Sequence, residues 1–229
     1  FSSPRGVAVG PGPRIYVADT GNSRVQIFDA EGTFLSSFGS QGSEAGQLKR
    51  PESLAVAGDG RVYVADTGND RIQVFTREGI FLHGFGTSGK GPGELRGPSK
   101  VAVDLADNVF VLDSGNERLA VFDATAHYAR ELPIAGTDFA MDGYGFFYVL
   151  KTGENKVFEH RPDGKIAVKF GNKGGGEGQL KKAEGVAVGE GGEILVLDTG
   201  NSRVLRVELL NKLKLSLIEP SLATKLVVS

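Results

Sequence analysis

The chain has 229 residues, 40% of them hydrophobic, with 34 glycines, no cysteine and a formal net charge of −2. That length suits one large β domain, and the near-neutral charge points away from a nucleic-acid or membrane surface as the main partner. Disulfides, thiol catalysis and zinc–thiolate sites are excluded, and no apolar run reaches the roughly 18 residues that a membrane span needs.

Along the chain, residues 1–4 match the end of a linker that recurs later, so the first strand is expected at residues 7–9. The start at Phe1, with no visible signal peptide, is what a mature or truncated form would show. Residues 18–28 then read ADTGNSRVQIF, and the segment returns as ADTGNDRIQVF at 65–75 and LDSGNERLAVF at 112–122. A weaker copy, LKTGENKVFEH, runs over 150–160, and LDTGNSRVLRV over 197–207. The leading residues Asp19, Asp66, Asp113, Lys151 and Asp198 are spaced by 47, 47, 38 and 47 residues. In the second copy, strands are expected at 53–57, 61–66, 71–75 and 80–85, rich in Val, Ile, Phe and Tyr and separated by Gly, Asp or Asn. Their links are short enough only for antiparallel hairpins.

Four-stranded sheets recurring at this spacing are the blades of a β-propeller. The expected fold is therefore an all-β propeller of four-stranded antiparallel blades. It is read as a single domain over residues 1–229, with repeats near 4–50, 51–97, 98–135, 136–182 and 183–218. Alternation over 211–218 favours a strand there. Residues 219–229 are expected to form an added strand or the start of a sixth blade, with 222–228 as the strand.

Chemistry usually needs one or two residues, so a set repeated in four copies is read as structural. On that reading Asp19, Asp66, Asp113 and Asp198 cap turn N–H groups and pair with Arg24, Arg71, Arg118 and Arg203, five residues on. Gly21, Gly68, Gly115, Gly153 and Gly200 are expected to supply a positive φ in the turn.

The ADTGN-x-R-(V/I)-Q-(V/I)-F pattern resembles the NHL repeat. So do the G-x-F/L-x-x-F-G segments at 32–39 and 79–86, and the linkers G-x-x-G-x-x-x-G-x-L-x-x-P at 39–51 and 86–98. The resemblance covers nearly the whole chain. It implies a propeller that usually closes with six blades, of which five repeats are complete here. NHL-type propellers include receptor sensor domains, protein-binding and RNA-binding modules, and a peptidyl-hydroxyglycine lyase, so the fold does not choose the function. The favoured reading is a non-catalytic binding or scaffold module whose partner is another protein. The alternatives are a propeller enzyme (a lyase or lactonase-like hydrolase with a channel metal) and an RNA-binding NHL module. Nucleic acid and membrane insertion are disfavoured, and the sequence names no small-molecule ligand. No cofactor is expected, with a channel calcium ion left open as an alternative. The resemblance leans toward a periplasmic or extracellular location.

The fourth repeat departs from the pattern. It lacks the Gly-rich linker of about nine residues, which should leave a notch, and Lys151, Glu154 and Lys156 replace the usual Asp, Asn and Arg. Phe146 stands in the column of Arg14 and Arg61, which suggests exposure. Phe146, Lys151, Glu154 and Tyr144 are therefore the candidate partner contacts, against the alternative that the aromatics simply repack a shortened blade.

No residue is nominated as catalytic or metal-binding. Asp-Thr-Gly recurs once per blade, whereas an aspartic protease needs two carboxylates in one cleft. His83, His127 and His160 fall on outer halves of different blades. The Gly-rich run at 171–178 joins strands rather than opening a helix. Lys49, Arg50, Arg96, Lys100, Lys181 and Lys182 share their linkers with Glu44, Glu52, Glu94, Glu177 and Glu184, which leaves a balanced rim.

Overall fold

The computed structural model describes residues 1–189, 191–209 and 226–228. It is all-β: five four-stranded antiparallel sheets, each in simple sequence order. Blade 1 comprises Gly6–Gly10, Arg14–Asp19, Arg24–Phe28 and Phe34–Phe38. Blade 2 comprises Pro51–Val56, Val62–Asp66, Arg71–Phe75 and Phe81–Phe85. Blade 3 comprises Pro98–Val103, Val109–Asp113, Arg118–Phe122 and Tyr128–Leu132. Blade 4 comprises Asp138–Met141, Phe147–Lys151, Lys156–His160 and Ile166–Phe170. Blade 5 comprises Gly185–Val188, Ile194–Asp198, Arg203–Leu209 and Leu226–Val228. Blades 1 to 3 lie in one compact unit, Phe1–Ala135, and blades 4 and 5 in a second, Gly136–Ser229.

The last strand differs from the sequence expectation. Leu226–Val228 neither adds to a complete sheet nor opens a further blade: it pairs with the third strand of blade 5, Val207 opposite Val228. The alternating residues 211–218 lie outside the described residues.

Because side chains alternate across a strand, each blade has two apolar faces. In the first unit Tyr16, Ala18, Val25 and Ile27 of blade 1 pack on Leu54, Val62, Val64 and Phe75 of blade 2. The other face of blade 2, with Tyr63, Ala65, Ile72 and Val74, packs on Val101, Val109, Val111 and Phe122 of blade 3. In the second unit Tyr148, Leu150 and Val157 of blade 4 meet Val186, Ile194, Val196 and Val207 of blade 5 in the same way. The scheme leaves two faces uncovered. Val7 and Val9 of blade 1 are each 67% exposed, although Leu54, Val101 and Val186 in the Val7 column are buried. Leu197 and Val204 of blade 5 are 47% and 61% exposed, although Ala18, Ala65 and Leu150, and Val25, Ile72 and Val157, are buried in those columns.

Candidate functional site

The repeated aspartate is the hub of each regular turn. Asp66 is fully buried. Its Oδ1 accepts the Lys49 N–H at 2.6 Å, and its Oδ2 accepts Asn69 Nδ2 at 2.9 Å, Arg71 Nε at 2.8 Å and Gln73 Nε2 at 3.0 Å. Asp19, Asp113 and Asp198 repeat the arrangement, taking the N–H of Ser2, Arg96 and Lys181 and the Nε of Arg24, Arg118 and Arg203. The arginines then reach the linker: Arg71 Nη2 donates to the carbonyls of Glu44 and Gln47, Arg118 Nη2 to Gly91 and Glu94, and Arg203 Nη2 to Gly176 and Gln179. Burial by itself would raise the Asp19 pKa. The donors from Ser2, Asn22, Arg24 and Gln26 outweigh it and hold the carboxyl well below the usual range. Asp198 is lowered for the same reasons. The motif is a clamp between turn and linker whose polar atoms are spent on one another.

The turn glycines act differently from expectation. The positive φ falls two residues later, at Ser23, Asp70, Glu117, Asn155 and Ser202, with φ between 52° and 55°. Glycine is required instead by a close approach of the linker. The N–H of Gly68 and of Gly115 donates at 2.8 Å to the carbonyl of Lys49 and of Arg96. A Cβ on either glycine would sit 2.7 Å or 2.5 Å from that same oxygen.

Blade 4 shows the converse. Asp113 and Lys151 are 38 residues apart where the other steps are 47, so nine linker residues are missing. A Cβ on Gly153 would meet nothing within 4 Å. An aspartate at position 151 would lack the linker N–H that the other four accept. Lys151 instead lies 3.5 Å from Glu154, with its Nζ 4.9 Å from the centroid of the Phe158 ring. Phe158 fills the column of Gln26 and Gln73. Loss of the linker and loss of the Asp–Asn–Arg set are thus physically one change. Phe146 is not an exposed anchor: it is half-buried against the core of the second unit. Arg14 and Arg61 of that column are half-buried too, paired with Glu78 and with Asp59 and Asp107, so the aromatic ring replaces ion-paired arginines. Tyr144, by contrast, is 72% exposed.

At the step without a linker a cleft of about 510 Å³ lies beside blade 3, in the first unit; a cleft of about 450 Å³ also lies beside blade 1, lined by residues 20–23 with Gln41, Lys49 and Arg50 of a complete linker. The walls of the cleft beside blade 3 are Lys90, residues 114–118 of the turn, Glu131 and Pro133. Arg118 forms an ion pair with Glu131 there, in addition to Asp113. Asn116 Nδ2 is bonded to Gly89 O and Asp113 Oδ2, while its Oδ1 is buried without a hydrogen bond. Only the missing linker signalled this cleft in the sequence.

The titratable groups elsewhere are scattered. His83 and His127 are exposed, and buried His160 bonds through Nδ1 to Gly164 O at 2.8 Å while its Nε2 has no partner. Among the described residues no three His, Asp or Glu side chains are placed to share a metal ion, and no helix is long and apolar enough to cross a membrane. One buried polar cluster stands out in blade 4. Asp142 accepts the Tyr144 and Phe146 N–H groups and the Tyr148 hydroxyl, and Tyr148 lies directly opposite Glu159 in the sheet. Burial, reinforced by Asp142 and opposed by Arg161, pushes Glu159 up to about 7.

Comparison with known proteins agrees with this geometry. Residues 44–156 match the family described as a 6-bladed beta-propeller, and residues 1–28 and 180–206 match the NHL repeat. The chain is an NHL-repeat β-propeller. A 51-residue stretch of it, 22% of the chain, is 51% identical to the Drosophila melanogaster protein brain tumor, of which that stretch is 5%. Among solved structures, virginiamycin B lyase from Staphylococcus aureus superposes with a TM-score of 0.65 at 12% identity, over 89% of this chain and 66% of the lyase chain. A structure of a nidogen/laminin complex gives 0.72 at 16% identity, over 90% of this NHL propeller and 75% of that chain. This propeller therefore spans just under two thirds of the lyase chain and a small part of brain tumor. At these identities the solved structures show a shared fold.

Proposed function

We propose that this chain is a non-catalytic binding module for another protein. The observation that supports it is the cleft beside blade 3, which opens at the step where nine linker residues are missing. The repeated polar residues are consumed by the scaffold, so departures from the repeat are where recognition has room to sit. The nidogen/laminin propeller is a relative in fold that was solved in a complex with a protein, which is in keeping with this reading. Tyr144, Lys151 and Glu154 are proposed as further contact residues. Phe146 is left out of the contact set because it packs on the core.

The test restores the linker. A copy of residues 86–94 inserted between Leu132 and Pro133 should fill the cleft without lowering the melting temperature. A partner retained by the wild-type chain should be lost from this variant, and its affinity, measured with purified protein, should fall more than about tenfold. Separately, Tyr144→Ser with Lys151→Asp should weaken binding by more than about 1 kcal/mol. A partner held equally by wild type and the filled variant would refute the reading.

A further inference from the structure

The residue that closes a turn can reach the linker that follows it. In blade 2 that residue is Asp70, left-handed at φ 54°. Its Oδ1 accepts the Gly97 N–H at 2.7 Å, and its Oδ2 accepts the Ser88 hydroxyl at 2.7 Å. In blade 4 it is Asn155, whose Oδ1 accepts the Lys182 N–H at 3.1 Å. The linker residue that donates is itself left-handed, with φ of 57° at Gly97 and 50° at Lys182. A side-chain oxygen from the turn thus meets one backbone N–H of the linker.

In blade 1 the acceptor side chain is shorter while the donors remain. Ser23 stands in the column of Asp70 with the same left-handed backbone, φ 52°, and Arg50 stands in the column of Gly97 at φ 51°. Matching backbones aim the Arg50 N–H as the Gly97 N–H is aimed, but a serine is too short to meet it. Neither the Arg50 N–H nor the Ser23 hydroxyl makes a hydrogen bond among the described residues. Gln41 takes the column of Ser88, so a second side-chain donor is kept. These groups line the cleft of about 450 Å³ beside blade 1. Lys49 lines it too and is exposed, whereas the Arg50 guanidinium lies 2.9 Å from Glu52. The carboxylate of this turn, Asp19, is buried and taken by Ser2, Asn22, Arg24 and Gln26. No wall residue of the cleft is acidic.

We infer that the cleft beside blade 1 binds an aspartate carboxylate of an acidic peptide segment on a partner protein, in the place that the Asp70 carboxylate holds in blade 2. One carboxylate oxygen accepts the Arg50 N–H, the other accepts the Gln41 side-chain amide, and Lys49 supplies the countercharge. The chain's own Asp70 argues for a carboxylate over a phosphate, because two donors there engage the two oxygens of one carboxylate. At about 450 Å³ the cleft also has room for the residues that flank the aspartate. It shares no wall residue with the cleft beside blade 3. The inference rests on the protein-binding reading for the source of the carboxylate and adds a second surface and a ligand class.

The probes are a capped Ala-Gly-Asp-Gly-Ala peptide, its asparagine counterpart, acetate and inorganic phosphate. Each is titrated into the whole chain at neutral pH and constant ionic strength and followed by heteronuclear NMR. The Arg50 amide reads the contact directly. With the aspartate peptide it should move downfield and saturate, together with Ser23 and the Gln41 side-chain amide, with a dissociation constant on the order of 1–10 mM. The asparagine peptide and acetate should bind at least severalfold more weakly. Ser23→Asp gives blade 1 the carboxylate that blade 2 has. That variant should shift the Arg50 amide without any ligand, abolish peptide binding and melt no lower than wild type. Lys49→Gln should melt like wild type and weaken binding at least threefold. No saturable shift at Arg50, undiminished binding to Ser23→Asp, acetate binding as tight as the peptide, or phosphate binding in preference to the peptide would overturn the inference. If that happens while the filled variant still loses a protein partner, the carboxylate site fails and the protein-binding reading stands.

Discussion

Replacing Glu159 by glutamine should stabilise this protein, and only above acid pH. Glu159 sits in the column of Ile27, Val74 and Val121, all buried, and is itself buried in blade 4. The groups that face it are Asp142, Arg161 and the Tyr148 ring opposite. Its carboxyl titrates near 7 in the folded chain against an ordinary value of 4.5. The folded state therefore binds the proton more tightly than the unfolded state. Stability from this group is complete below about pH 4.5, falls as pH rises, and is lost above about 7. At about 1.36 kcal/mol per pH unit, the loss amounts to about 3 kcal/mol. Glutamine cannot ionise and keeps the size and the hydrogen-bonding groups. Urea unfolding followed at pH 4 and pH 8 should show the two proteins equal at pH 4 and Glu159→Gln ahead by up to about 3 kcal/mol at pH 8. Glu31→Gln, at an exposed position, serves as the control and should track wild type throughout. A constant offset between Glu159→Gln and wild type across this range would refute the argument.

Asp66→Ala strands four donors around a buried site, and should cost about 3 kcal/mol in urea unfolding while leaving the fold of the other blades intact. Gly115→Ala and Gly153→Ala should part company in thermal melts. The first drives a Cβ to within 2.5 Å of the Arg96 carbonyl and should destabilise by more than about 1 kcal/mol; the second meets open space, should be neutral, and on entropic grounds could gain about 0.5 kcal/mol.

Apart from the place of the last strand, the strands, their antiparallel order and the Asp–Arg pairs were legible in the sequence, because each follows from patterns within a single repeat. Alternation of apolar residues sets strand faces, and ADTGN-x-R places donor and acceptor five residues apart on adjoining strands. The shortened fourth step was legible too, since it is a matter of counting. What the sequence did not carry is what meets across blades. The role of Gly68 and Gly115 depends on a carbonyl 19 residues earlier, which approaches only once the linker folds over the turn. The positive φ falls instead two residues later, as at Asp70, whose side chain accepts the Gly97 N–H of the linker that follows. Phe146 reads as exposed from its column and is half-buried, because it packs on a core to which blade 5 contributes Val186, Ile194 and Val196. Glu159 carries no signal in the repeat pattern, and its pKa is pushed up to about 7 by burial and by Asp142 once blade 4 is packed. Local periodicity decides which residues form a blade, whereas burial, charge state and the open cleft belong to the contacts between blades, and those exist only in the folded chain.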